Sequence, residues 1–429
     1  MRQWLAIRNS VAVGAMFTTC MPATADTRHE KAAGVLINSD NFKVASQSIR
    51  TDYNQIVKDM ITLTETPAPP FGEGDRAELY KRMLEEAGLT EVQTDPIGNV
   101  FGYRRGTGNG PLVVIAAHLD TVFPKGTDTT VKRDGNKLSA PGIGDDTANL
   151  AVLLGMLRAM NRAGYQTRGD IIFMGDVGEE GLGDARGIRY LFEKSPLKQR
   201  ITYFISFDGG SPNSIVDAAI GVKRYQVTFH GPGGHSYGAF GTVNPAFAMA
   251  DAITQISKLP APKSPKTTYS VGIVEGGTSV NAIPSATSML IDIRSETQTA
   301  LDMEVEAFLA ILPKAVANEN AARDTSRGAI TVETKVVGSR PAGATPSSSD
   351  IWQYATAVRK IAGYAPTYSA ASGDSNIPMS LGVQALTLGG GFNSEHAHSP
   401  DEFLILNKEE DVKNMSYAMA TVLLLANQQ

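Results

Sequence analysis

A chain of 429 residues is longer than one hydrophobic core serves, so two domains are expected. With 42% hydrophobic and 19% charged residues, the composition is that of a soluble globular protein, neither disordered nor membrane-embedded. A formal net charge of −5, with no long Lys/Arg run, excludes the concentrated basic surface that nucleic acid requires, so no nucleic-acid partner is expected.

The first 25 residues read as an export signal, with Arg2 and Arg8 before the apolar Val11 to Phe17 and a small-residue cleavage site at Ala23-Thr24-Ala25. That apolar stretch is too short to span a bilayer. Cleavage removes the only cysteine, Cys20, so the mature chain has neither a thiolate ligand nor a cysteine nucleophile. This suits an oxidising compartment. The expected location is secreted or periplasmic, with no stable membrane insertion afterwards.

A polar leader follows. Asp75 to Ala87 repeats apolar residues at helical spacing, and Gly88 is placed to stop the helix. Pro111 to Ala117 is a continuous apolar run of strand length, as expected for a strand buried on both faces. Asn149 to Ala163 predicts a helix, and Asp170 to Gly175 and Ile201 to Phe207 predict two more buried strands. This alternation predicts an α/β fold: a mostly parallel mixed sheet with helices on both faces. From Val222 the order becomes strand (Tyr225 to Phe229), helix (Asn244 to Lys258), strand (Thr267 to Val274), strand (Ala286 to Ile293), helix (Thr297 to Val316) and strand (Ala329 to Val337). That order predicts a small α+β sandwich inserted in the first domain, and Gly338 to Asp350 reads as a linker rich in Gly, Pro and Ser. The expected divisions are a signal at 1–25, a catalytic domain at 26–221 and 339–429, and an inserted lid or dimerisation domain at 222–338.

Five motifs carry candidate chemistry. His118 and Asp120 follow a buried strand in AAHLD, where alternation along an extended chain turns both to one face. Asp145 and Asp146 precede a helix in PGIGDD, and Glu179 and Glu180 sit between glycines in GDVGEEG. Asp208 ends another strand in SFDGG, and His396 and His398 lie in EHAHSPDEF. Alone, each has an ordinary explanation, such as a satisfied core histidine or an N-capping aspartate. Together they put acids and histidines at the C-terminal ends of predicted strands, which converge on one crevice in a parallel sheet. Such a mixed nitrogen and oxygen site suits zinc, manganese or cobalt.

From about Asp52 to the C-terminus, these motifs in this order resemble the co-catalytic zinc peptidases and deacylases. That family includes peptidase T (tripeptide aminopeptidase), glutamate carboxypeptidase, acetylornithine deacetylase and aminoacylase. The resemblance implies two divalent metal ions, most simply Zn²⁺ with Co²⁺ or Mn²⁺ as alternatives, bridged by Asp145 and bound by His118, Glu180, Asp208 and His398. It implies Glu179 as the general base acting on a metal-bridging hydroxide, and Asp120 as the acid that orients its histidine. His235 in GPGGHS would stabilise the oxyanion, supplied by the partner subunit in dimeric members, while Asn281 and Arg294 would grip substrate. Thr147-Ala148 departs from the Lys-Gly that often follows the Asp pair, and SGDSN, Ser372 to Asn376, resembles a substrate loop. The implied activity is hydrolysis of amide bonds in small peptides, aminopeptidase-like, by a homodimer joined through the inserted domain. The alternatives are an N-acyl amino acid deacylase or a glutamate-type carboxypeptidase and, in a different class, an inactive peptide-binding homologue.

Overall fold

The computed structural model describes residues 27–209 and 211–428, and the export signal expected over 1–25 lies outside them. Where the sequence suggested a polar leader stand two helices, Thr27–Asn38 and Asp40–Thr64. The second begins at Ser39, whose hydroxyl accepts the Phe42 N–H. It turns Phe42, Ile49, Ile56, Met60 and Leu63 into the core at helical spacing. The polar residues between them face solvent and hide the pattern. His29, read as inert, is buried, with Nε2 2.7 Å from Asp350 Oδ1.

The middle of the nine-stranded central sheet is parallel, in the order Ile171–Asp176, Leu112–His118, Ile201–Phe207, Gln384–Leu388. Val100–Arg104 and Thr90–Thr94 extend it antiparallel on one side. On the other side lie Ser214–Ala219 and Gly343–Ala344, with Thr367–Ala371 beside Ser214–Ala219. Alternate residues of Leu112–His118 serve two cores. Val113, Ile115 and Ala117 pack with the helices Asp40–Thr64, Ala148–Arg162 and Lys408–Ala426, whereas Leu112, Val114 and Ala116 pack with Arg186–Glu193. The unbroken apolar run therefore has the cause expected of it, helices on both faces.

Between Ala219 and Gly343 the chain leaves this sheet. It forms a four-stranded antiparallel sheet in the order Thr267–Gly276, Ala286–Ser295, Gly221–His230, Thr331–Arg340. Ala286–Ser295 alternates half-buried with buried residues, so one face takes a core of its own beneath the helices Pro245–Ile256 and Gln298–Ala322. The stretch expected as a linker is not one. Gly338 to Arg340 completes a strand here, and Gly343–Ala344 joins the central sheet. A further small sheet, in the order Ser394–Glu395, Phe403–Ile405, Lys137–Ser139, Lys132–Asp134, ties the segment around His398 to an earlier hairpin. Among the described residues no helix is long and apolar enough to cross a membrane.

Candidate metal centre

His118 ends its strand with its ring 1% exposed. Its Nδ1 lies 3.0 Å from the Asp120 carbonyl oxygen, which accepts the Nδ1 proton and turns Nε2 toward Asp145 Oδ1, 2.8 Å away. The Asp120 carboxylate, expected to orient His118, stands farther off at 3.7 Å. It instead accepts the Glu179 and Glu180 N–H groups at 3.0 and 2.9 Å, so the residue fixes the histidine with its backbone and the Glu pair with its side chain.

The other oxygen of Asp145, Oδ2, faces His398 Nε2 at 3.1 Å, and that nitrogen also meets Glu180 Oε1 at 2.8 Å. One carboxylate thus spans two histidines. Asp145 is placed by Glu402, whose carboxylate accepts the N–H groups of Gly142, Gly144 and Asp145 at 2.8, 2.7 and 2.9 Å. Gly144 is required here, because a Cβ would stand 2.2 Å from Ser394 Cβ. Asp146 points the other way, accepting the His118 N–H and the Asn149 amide at 3.0 and 2.6 Å.

Burial and hydrogen bonding pull against one another at this site. It opposes charge on His118, but the hydrogen bond to Asp145 and the neighbouring acids outweigh it, and the imidazole stays protonated well above its ordinary range. His398, hydrogen-bonded to Asp145 and Glu180, is raised to about 10. Burial would raise Asp145, yet the two histidines hold it below the usual carboxylate range. Asp208 rises to about 6, through burial and the Asp145 charge. Two triads offer ligand atoms within 4.8 Å of one another: His118, Asp145 and Glu180, and His118, Asp146 and Asp208. Imidazole nitrogens and carboxylate oxygens here hold protons where cations would sit, and the donor set fits divalent ions of the zinc type.

Glu179 is 6% exposed and belongs to neither triad. Arg340 Nη1 reaches its Oε1 at 2.7 Å, and Nη2 bonds its carbonyl oxygen. Burial pushes the Glu179 carboxyl up to about 8 against the pull of Arg340. The sequence reading missed Arg340 because it fell within the supposed linker, and it missed Glu402 because the backbone groups it binds lie 257 to 260 positions away. It also missed a buried pair. Asp176, paired in register with His118, and Asp374 of the Ser372–Asn376 loop are both fully buried, and burial together with their mutual repulsion raises Asp374 while burial raises Asp176. Two buried carboxyls that repel one another favour a state in which one keeps its proton.

The remaining expected residues lie apart. His235 is exposed on a two-stranded ribbon with its register partner Ala282, next to Asn281. Arg294 is bound to Asp292 at 2.7 Å, and Asp292 also binds Arg224, which reaches the Gly181 carbonyl beside Glu180. Among the described residues no hydrogen bond or ion pair joins His235, Asn281 or Arg294 directly to the histidine–carboxylate cluster. His396 is also outside it, paired with Asp401 at 2.8 Å.

A probable carboxypeptidase of Uncinocarpus reesii is 25% identical over 300 residues, 60% of this chain and 66% of that one, so the match takes in just under two thirds of that relative. The fold matches aminopeptidase PepT of Bacillus cereus with TM-score 0.68 at 21% identity, covering 87% of this chain and 98% of that one. It also matches YxeP of Bacillus subtilis, a dinuclear metal-binding peptidase, with TM-score 0.63 at 18% identity over 89% of this chain and all of that one. The model of peptidase family M20/M25/M40 matches residues 114–425, and the chain belongs to that family.

Proposed function

We propose that the chain hydrolyses amide bonds in small peptides, using two divalent cations held by His118, Asp145, Glu180, Asp208 and His398. The observation that carries this reading is the Asp145 carboxylate, with one oxygen on His118 and the other on His398. When bound, such ions supply Lewis acidity, acidifying water and polarising the scissile carbonyl. Glu179 takes a proton from the attacking water and returns it to the departing amine. Its burial keeps bulk water from that exchange, and cations beside it would draw its carboxyl down toward the basic form. Asp120 holds the Glu179 and Glu180 backbone so that one side chain serves the proton and the other the cations.

His235 serves the oxyanion of a partner subunit, with Asn281 and Arg294 gripping substrate. Its Nδ1 accepts the Tyr237 and Gly238 N–H groups at 3.2 and 3.3 Å, which leaves the proton on Nε2 as an outward donor. The inserted layer is the dimerising surface, and the chain works outside the cytoplasm after signal cleavage. The aminopeptidase-like reading has a competitor in carboxypeptidase-type cleavage, favoured by the name of the Uncinocarpus relative. An assay of metal-loaded protein on di- and tripeptides blocked at either end, and on acetylated amino acids, separates them. Cleavage that requires a free N-terminus supports the first reading, and cleavage that requires a free C-terminus the second. No hydrolysis of any of them by protein of proven metal content would overturn both.

A further inference from the structure

On the outer side of the Asp40–Thr64 helix lies an open cleft of about 710 Å³, bounded by the Lys132–Ser139 hairpin and the start of the Lys408–Ala426 helix. Its lining includes Lys58, Arg133 and Lys408 and no acid, in a chain whose net charge is −5. Among the described residues none of these three cations makes an ion pair. Arg133, again among the described residues, hydrogen-bonds only the Gly135 carbonyl, at 3.1 Å, and Lys408 Nζ stands 5.6 Å from the centre of the Tyr53 ring.

Asp134, next to Arg133 in the hairpin, is exposed and is not part of the lining, and four other nearby acids have partners of their own. Glu65 accepts the Val131 N–H, Glu409 pairs with Arg50, and Glu410 accepts from Asn407. Asp411 takes the Tyr53 hydroxyl at 2.5 Å. The floor between the cations is apolar, formed by the Tyr53 ring, Val57, Ile61 and Leu406. Three uncompensated cations around a hydrocarbon floor, in a volume that suits a small ligand, define a ligand by its chemistry.

We propose that this cleft binds a small organic anion with an apolar body, a carboxylate or sulfonate carried on a hydrocarbon or aromatic frame. The acid group lies among Lys58, Arg133 and Lys408, and the frame covers Val57 and Ile61. This site is separate from the metal cluster and does not depend on the peptidase reading. The ligand pairs the cations and keeps the apolar floor from water, two gains that inorganic anions and neutral hydrocarbons obtain singly.

The test is calorimetric titration of full-length, metal-loaded protein with 2-naphthalenesulfonate, alongside inorganic sulfate and 2-naphthalenemethanol. The expected result is saturable one-site binding of the sulfonate that weakens as salt is added. Sulfate and the neutral alcohol should each bind roughly tenfold or more weaker, since each lacks one half of the interaction. Lys58→Glu with Arg133→Glu, both exposed and outside the core, should weaken the sulfonate roughly tenfold or more while metal content and turnover stay unchanged. Lys408→Glu should act in the same direction. Sulfate binding as tightly as the sulfonate would overturn the assigned ligand class. Absence of saturable binding, or binding that survives these variants but disappears in Glu180→Ala, would overturn the site.

Discussion

His118 and Glu179 are almost inaccessible and held from several directions, whereas His235 and Asn281 stand in solvent, held by close neighbours in sequence and a two-residue ribbon. Both sets were proposed for one reaction. In the crevice, distant segments converge: Asp145 is reached by His118 from 27 positions away and by Glu402 from 257. On the inserted layer the partners of His235 are two and three residues on. The proposed function draws the first set from one chain and needs a partner subunit to use the second. If both act as proposed, cation binding is separated from the last step of substrate recognition.

The largest expected effect tests the crevice. Glu179→Gln should retain metal and lose about 10²–10⁴-fold in turnover, because a base is removed while the backbone clamp from Asp120 remains. Glu180→Ala, by contrast, should lose metal. Metal analysis with single-turnover kinetics checks both, and near wild-type activity in Glu179→Gln would move the base elsewhere. Next comes the inserted layer: His235→Ala should slow turnover by about 10²–10³-fold with metal content unchanged. Mixing it with Glu179→Gln under subunit exchange should restore activity if the two residues act across a dimer. No recovery despite proven exchange would place His235 in the service of its own chain.

A smaller effect should come from Glu402→Ala, which strips the acceptor from three backbone N–H groups that place Asp145. We expect metal affinity to fall about 10–100-fold, measured by competition with a chelator, while Glu402→Gln retains part of it. The mildest prediction concerns pH. His398 is raised to about 10 in the folded chain by Asp145 and Glu180, above an ordinary value of 6.5. Its pairing therefore stabilises metal-free protein fully below the ordinary value and is lost as pH rises through about 10. Cations need the neutral ring, so metal affinity should rise over the same window with release of protons, which calorimetry in buffers of different ionisation enthalpy detects. An affinity independent of pH would remove His398 from the ligand set.

The parallel strands were legible because burial on two faces leaves an unmixed apolar run, as in Pro111 to Ala117. The motifs around His118, Asp145, Glu180 and His398 were legible because strand ends and glycine turns mark where a parallel sheet opens, while the choice within each acid or histidine pair came from the family resemblance; the fold brings these four side chains together. Other features carried no local mark. The helix Asp40–Thr64 buries one narrow stripe, so its composition looks polar. Arg340 becomes a partner of Glu179 only through a contact 161 positions away. Asp176 and Asp374 lie far apart in sequence, and only the fold buries them near one another. The expected linker failed for a related reason, since glycine and proline mark a change of direction as readily as a loose connection.

The clamp of Glu402 on the Gly142 to Asp145 turn also sets a schedule for synthesis. Residues 142–145 emerge early, but the acid that shapes them and the histidine that joins the cluster follow more than 250 positions later. Gln384–Leu388 must moreover insert between Ile201–Phe207 and Ser214–Ala219, closing the central sheet from a distance. Contacts of such separation are made late in folding. On the proposed reading, a nascent chain therefore shows early acids to passing cations before the residues that would retain them have been made. Ribosome-bound chains stopped just before Gln384 should hold no tightly bound metal. Tight binding by those chains would show that the centre forms without its C-terminal clamp.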